Sequence, residues 1–247
     1  MATRFPAQIG SWLVEPGDYS VDGLLTELRA STRRALDRCD RPGLLLSGGI
    51  DSTVAALLVK EQQRVPHFTI AASPEHPDVR GASLVAHRFD LDWRLWLPDS
   101  GTRAVAAADF GRRFKGDDAV FLALHFASRF ITDIIAADGI DEQMGGYWWH
   151  VNRNDQFPTA ESAFEHFWTL LEPAHLTPMF SSAEIVGVNL HWIYLDPAVT
   201  AYISRIPIGD RTCGGVSKAV WRELATRLGV PDEVLTRPKL GFCNAFD

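Results

Sequence analysis

Cysteine is scarce in this 247-residue chain: only Cys39, Cys213 and Cys243 occur. The count is odd, the spacings are long and there is no Cys-x-x-Cys pair. Neither a disulfide framework nor a thiolate zinc site is expected, and a reducing compartment fits best. Basic charge is not in excess either. Lys and Arg number 24 against 31 Asp and Glu, a formal net charge of −7. Nucleic-acid binders usually carry a basic face, so an RNA or DNA partner is disfavoured. No apolar run approaches the roughly 18 residues of a membrane span, and residues 1–10 hold no apolar signal core; a cytoplasmic protein is expected. His87, His125, His150 and His175 lack metal-ligand spacing, and there are no repeats or low-complexity tracts. What is present is an ordinary globular composition, 46% hydrophobic and 22% charged. It suits one large α/β domain, or such a domain with a helical annex.

Apolar residues at helical spacing (Leu24, Leu25, Leu28, Ala35, Leu36) predict a helix over 21–38. The run Leu44-Leu45-Leu46 between Pro42-Gly43 and a glycine pair suits a buried parallel strand. Further strands are expected at 67–72, 93–97 and 130–137, and helices at 51–63, 78–89, 102–113 and 119–129. Strands alternating with helices indicate a parallel sheet covered on both faces. Past Gly146 the texture changes. A polar connection over 152–158 leads to helical patterns at 160–171, 181–190, 197–203, 216–228 and 231–235. The division read here is an α/β nucleotide half, 1–150, and a mostly helical half, 151–247.

Ser47-Gly48-Gly49-Ile50-Asp51-Ser52 stands between the first strand and the next helix. The glycines let the backbone turn tightly and approach a ligand. The amides at the helix start, helped by the helix dipole, favour an anion. Ser47, Ser52 and Thr53 add hydroxyls. Asp51 beside an anion site calls for a cation, and Mg²⁺ binds through one or two carboxylates plus phosphate oxygens. For a bare glycine turn, Asp51 or Ser52 would simply cap the helix. The string lacks the Gly-Lys-Ser ending of a Walker loop, so an ordinary kinase or GTPase loop is excluded. A second acidic turn, 138–147, follows the strand ending at Ala137. Ligand sites of open α/β sheets lie at the carboxyl ends of strands, so Asp141 and Asp51 are candidates to meet over the same phosphates. The alternative is that Asp141 caps a helix with Glu142 solvated.

The first loop resembles the pyrophosphate loop of the N-type ATP pyrophosphatases. Together with Gly139-Ile140-Asp141-Glu142-Gln143-Met144-Gly145-Gly146-Tyr147, it resembles the synthetase domain of the asparagine synthetase family, whose motif is Gly-x-Asp-Glu-x-x-Gly-Gly-Tyr. Tyr194-Leu195-Asp196 is similar to that family's Phe-Leu-Asp, and Ser217-Lys218 to the head of a helix bearing a lysine. Arg237-Pro238-Lys239-Leu240-Gly241-Phe242 is similar to a C-terminal lysine motif, especially that of β-lactam synthetase. The resemblance runs from about residue 16 to 242. It implies a five-stranded parallel sheet, with helices on both faces, and a helical second half. It implies a carboxylate attacking the α-phosphorus of ATP, release of pyrophosphate, and displacement of AMP by an amine or ammonia. Ser47, Gly48, Gly49, Asp51 and Ser52 would then bind pyrophosphate. Asp51 and Asp141 would hold Mg²⁺. Leu45, Ile70, Ala137 and Gly139 would border the nucleotide. Lys218 and Lys239 would neutralise phosphate charge, Lys239 also stabilising charge that develops during amide formation.

Several positions depart from the family pattern. Asp138 stands where relatives carry a glutamate or a tyrosine; it is either a general base for the amine or a residue closing the turn. Asn189 and His191 replace a glutamate and an arginine, and His191 is either a proton acceptor or a packed side chain. Trp148-Trp149 either lines the acceptor pocket or packs under the helical half. About twenty residues precede the first helix, too few for the family's glutaminase domain of at least ~50 residues. The expected partners are therefore a small-molecule or peptide carboxylate and an amine, free ammonia, or ammonia from a separate glutaminase; a carrier protein is a further candidate partner. The competing functions are an RNA or small-molecule thiolase sharing the pyrophosphate loop, and a non-catalytic nucleotide-binding subunit. The acidic charge and scattered cysteines speak against the first, and the intact set of aspartates and lysines against the second.

Overall fold

The structure, a computed structural model, describes residues 17–110 and 118–238. Helix α1 (Val21–Leu36) starts at Ser20, whose Oγ accepts from the Gly23 amide at 3.0 Å, the usual device for satisfying a first-turn donor. Then come β1 (Pro42–Leu45), α2 (Ile50–Lys60), β2 (Pro66–Ile70), α3 (Pro77–Arg88), β3 (Asp92–Trp96), α4 (Ser100–Phe110), α5 (Asp118–Ala127) and β4 (Asp133–Ala136). The second half contributes α6 (Ile140–Met144), α7 (Trp148–Val151), α8 (Ala160–Leu170), a π-helical turn (Leu171–Leu176) and α9 (Thr177–Val186). It continues with β5 (Asn189–Trp192), α10 (Pro197–Ile203), α11 (Ile208–Arg211), α12 (Ala219–Arg227) and α13 (Asp232–Leu235).

The five strands are all parallel, in the order β3-β2-β1-β4-β5. From β1 the chain winds outward to β2 and β3, then returns to the other side of β1 as β4. The order reverses between β1 and β4, and a crevice opens there at the carboxyl ends of the strands. One face of the sheet packs on α1, α2, α3, α10 and α12, around Leu28, Val54, Leu58 and Trp221, all fully buried. The other packs on α5 and α9 around Phe68, Ile134 and Leu124. Every residue of α2 from Ser52 to Val59 is buried, as expected of a helix that is apolar all round.

The helix expected over 181–190 is not formed as such. α9 ends at Val186, Gly187 takes φ 74° as its cap, and 189–192 become the edge strand β5. Glycine just past a helix is the common stop, and β5 then joins the sheet from beyond residue 150. The helix expected over 216–228 begins later, at Ala219, after Lys218 in a left-handed conformation. Between α8 and α9 the chain stays helical through the π turn. Pro173 has no amide to donate, and the Thr177 amide reaches back five residues to the Glu172 carbonyl. No helix among the described residues is long and apolar enough to cross a membrane.

Candidate active site at the carboxyl ends of β1 and β4

After β1 the backbone turns through Ser47-Gly48-Gly49 into α2. Gly48 takes φ 69°, and a Cβ there would lie 2.2 Å from the Gly81 carbonyl carbon and the Ala82 nitrogen in α3. Both the conformation and the contact require glycine. The Ser47 and Ser52 hydroxyls lie 3.0 Å apart, and the Ser52 hydroxyl donates to the Gly49 carbonyl at 3.2 Å. No side chain caps α2, so its N-terminus presents amides and a positive dipole end to the crevice.

The turn after β4 carries the carboxylates. Asp138 and Asp141 lie on it and in the first turn of α6. The Lys218 ammonium enters from the second half, 2.6 Å from Asp51 Oδ2 and 2.5 Å from Asp141 Oδ1. Lys218 is 4% exposed. Burial alone would lower its pKa, but the Asp141 and Asp51 charges outweigh that and hold it above the ordinary value. Gly146 makes room for the group, since a Cβ there would fall 1.7 Å from Asp141 Oδ1 and 2.4 Å from Lys218 Cε. Burial, with the Asp141 and Asp51 charges, pushes the Asp138 carboxyl up to about 6. The Tyr147 hydroxyl donates to Glu142 Oε1 at 2.6 Å, and burial and that carboxylate raise the tyrosine well above its ordinary value.

These groups share a cavity of about 700 Å³. Of the positions singled out in the sequence, Leu45, Ser47, Gly49, Asp51, Ser52, Ala137, Asp138, Gly139, Asp141 and Lys218 line it. Gly48 supports the loop from behind. Ile70 is fully buried beneath the sheet end with Phe68 and is not part of the wall. Asn189 and His191 do not face the cavity. The Asn189 amide and the His191 ring bond Asp133 Oδ1 at the amino end of β4, at 3.1 and 3.0 Å. Cys39, Asp133 and His191 offer ligand atoms within 4.8 Å of one another. However, Asp133 also accepts from Thr132 and from the Asp40 and Arg41 amides, which makes it a cross-link between β1, β4 and β5. Trp149 packs against Phe157 and Phe167, Trp148 is 60% exposed, and neither lines the cavity. Lys239 lies outside the described residues.

Some residues of the site carried no assigned role in the sequence. The Tyr194 hydroxyl donates to the Asp51 carbonyl at 2.8 Å while its ring sits edge-on to Trp221. Leu195 fills the space that a Cβ on Gly139 would take. Asp196 caps α10 and pairs with Arg34 at 2.7 Å. The Tyr-Leu-Asp string is thus scaffolding, and its signal was a motif match without a function attached. Leu171, Ala174 and His175 of the π turn, with Met179 and Val120, also line the cavity.

A parallel sheet with a glycine-serine loop and an acidic turn at its switch point defines a fold of the pyrophosphatase-loop, adenine nucleotide α-hydrolase type. The chain belongs to the asparagine synthase family, which matches residues 23–183 and 181–247. With that membership goes an ATP-using synthetase of the ligase type. Among solved structures, NMN synthetase from Francisella tularensis shares the fold, with a TM-score of 0.52 and 16% identity over 92% of this chain and 78% of that one. The NH3-dependent NAD synthetase from Campylobacter jejuni, a complex with nitrate, aligns at 0.41 and 12% identity over 90% and 99%. No curated protein gave a sequence match.

Proposed function

We propose that the protein adenylates a substrate carboxylate with ATP, releasing pyrophosphate, and passes the acyl group to an amine or ammonia with release of AMP. The observation that carries this is the convergence of Asp51, Asp141 and Lys218 beneath a phosphate loop that has no Walker lysine. In this reading the loop amides and the Ser47 and Ser52 hydroxyls take the β- and γ-phosphates. Leu45 and Ala137 border the base. Lys218 sets one positive charge against two aspartates, which leaves the site negative before any polyphosphate arrives. A divalent cation restores the balance, and the hard carboxylate oxygens of Asp51 and Asp141 suit Mg²⁺. When bound, the ion would neutralise phosphate charge and orient the leaving group. Asp138, which lines the cavity and whose carboxyl burial and the neighbouring Asp141 and Asp51 charges raise, accepts the proton of the attacking amine. The acceptor is a small-molecule or peptide substrate lying toward the π-helical wall.

ATP–pyrophosphate exchange against a panel of carboxylic acids tests the reading and identifies the acid without knowledge of the amine. ADP and phosphate as stoichiometric products would overturn it.

A further inference from the structure

A phosphate loop has to turn its amides toward the anion and its carbonyls away from it. The carbonyls then need donors of their own, and Arg237 and Asp78 stand in the same cavity wall as the loop. Ser47 has one: Arg237 Nη1 donates to its carbonyl at 2.9 Å, across 190 positions of chain. The other arm of the same guanidinium bonds Asp78 Oδ1 in the first turn of α3. Asp78 is buried, and the Arg237 side chain is 15% exposed. The contact is closely built. A Cβ on Gly81 would lie 2.8 Å from Arg237 Nη1 and 2.8 Å from the Gly48 carbonyl oxygen. One turn of α3, the loop backbone and the guanidinium therefore stack without spare room.

We propose that Arg237 is a positioning residue. It clamps the Ser47 carbonyl and so holds the loop in its anion-binding conformation, with Asp78 as the anchor that orients the fork. The inference rests on the nucleotide reading above. It differs from a direct phosphate role, because the Arg237 charge is already engaged by Asp78. The two roles give opposite signs for Asp78→Asn. If Arg237 served as a phosphate cation, releasing it from a competing carboxylate would tighten ATP binding. If it is a clamp, losing the anchor loosens the loop and weakens binding.

Calorimetric titration of Mg-ATP into the full chain, with KM for ATP and thermal melting measured alongside, separates these. Asp78→Asn and Arg237→Lys are both expected to weaken ATP by about tenfold, the equivalent of one charge-assisted hydrogen bond. Lysine should fail to rescue because one ammonium does not span both partners as a planar fork does. A merely architectural contact would lower the melting temperature and leave KM for ATP unchanged. Asp78→Asn binding ATP as tightly as wild type or tighter, or Arg237→Lys matching wild type, overturns the clamp. Wild-type protein that binds no Mg-ATP overturns the nucleotide reading instead.

Discussion

Lys218→Met removes the ammonium from between Asp51 and Asp141 while keeping the length of the side chain. Two carboxylates that stood 2.6 and 2.5 Å from one cation then face each other. Breaking a buried pair by deleting one partner costs ~3–5 kcal/mol. The aspartate side chains keep 23% and 19% exposure, so water takes up part of the loss and about 3 kcal/mol is expected. For a domain of this size that is a fall of roughly 6–12 °C in melting temperature. The wild-type contribution belongs to a group whose folded pKa is raised, so it is fully present below the unfolded value of about 10.4 and is lost only as pH rises through the folded one. An assay at pH 7 therefore reads it whole. The variant should also regain stability from Mg²⁺. An ion at about 100 times its dissociation constant returns ~2.7 kcal/mol, whereas the wild type, with its own cation in the pair, gains less. Differential scanning fluorimetry with and without Mg²⁺ measures both. Melting within 2 °C of wild type, or an equal Mg²⁺ shift in the two proteins, would refute the reasoning.

Gly48→Ala should cost at least ~2 kcal/mol, combining a left-handed backbone with a clash against the α3 backbone; a urea melt with an unchanged midpoint would contradict it. Asp133 is held at about 2 because hydrogen bonds from Thr132, His191 and Asn189 outweigh its burial. A depressed carboxylate stabilises above its unfolded pKa and loses that stability as pH falls through the folded one, here between about 4 and 2. Asp133→Ala should flatten the acid limb of the stability profile over that window. Asp138, raised to about 6, has the opposite sign: the fold disfavours its charged form, so its stability contribution declines as pH rises from about 4 to 6. Asp138→Asn should therefore melt no lower than wild type at pH 8, yet lose the amide-forming step and the rise of its rate with pH. A variant that is slow only because it is unfolded, or fast with the limb intact, would remove Asp138 from the chemistry.

The strands that build the crevice could be read from the sequence because they are almost wholly buried and run into glycine turns. Leu44 to Leu46 and Ile134 to Ala136 are short apolar runs between turns, and the phosphate loop and acidic turn follow each directly. β5 was hidden for a physical reason. It is a four-residue edge strand, Asn-Leu-His-Trp, with two polar residues and no β-branched side chain, and the apolar spacing before it runs on as if helical. Gly187 was the available stop signal. His191 was open as a proton acceptor or a packed side chain because sequence does not tell the two ends of a strand pair apart; the register places it beside Ile135, packed within reach of Asp133. Ile70 failed as a cavity residue because, although it ends β2, its side chain packs into the core with Phe68.

The groups that make the loop a site come from the far half of the chain. Tyr194 takes the Asp51 carbonyl, Lys218 takes the Asp51 and Asp141 carboxylates, and Arg237 takes the Ser47 carbonyl. These contacts span 143, 167 and 190 positions for Tyr194, Lys218 to Asp51, and Arg237. Loop-closure entropy at such separations is repaid only when many contacts form together. The geometry of the loop therefore depends on α12 and the segment after α13, and not on the local strand-turn-helix alone. Residues 1–150 in isolation would keep the Ser-Gly-Gly sequence yet lack the cation between its aspartates and the donor for its outward carbonyl. The division near residue 150 separates textures of sequence, but the site itself belongs to neither side, since each half supplies charges that the other leaves unbalanced.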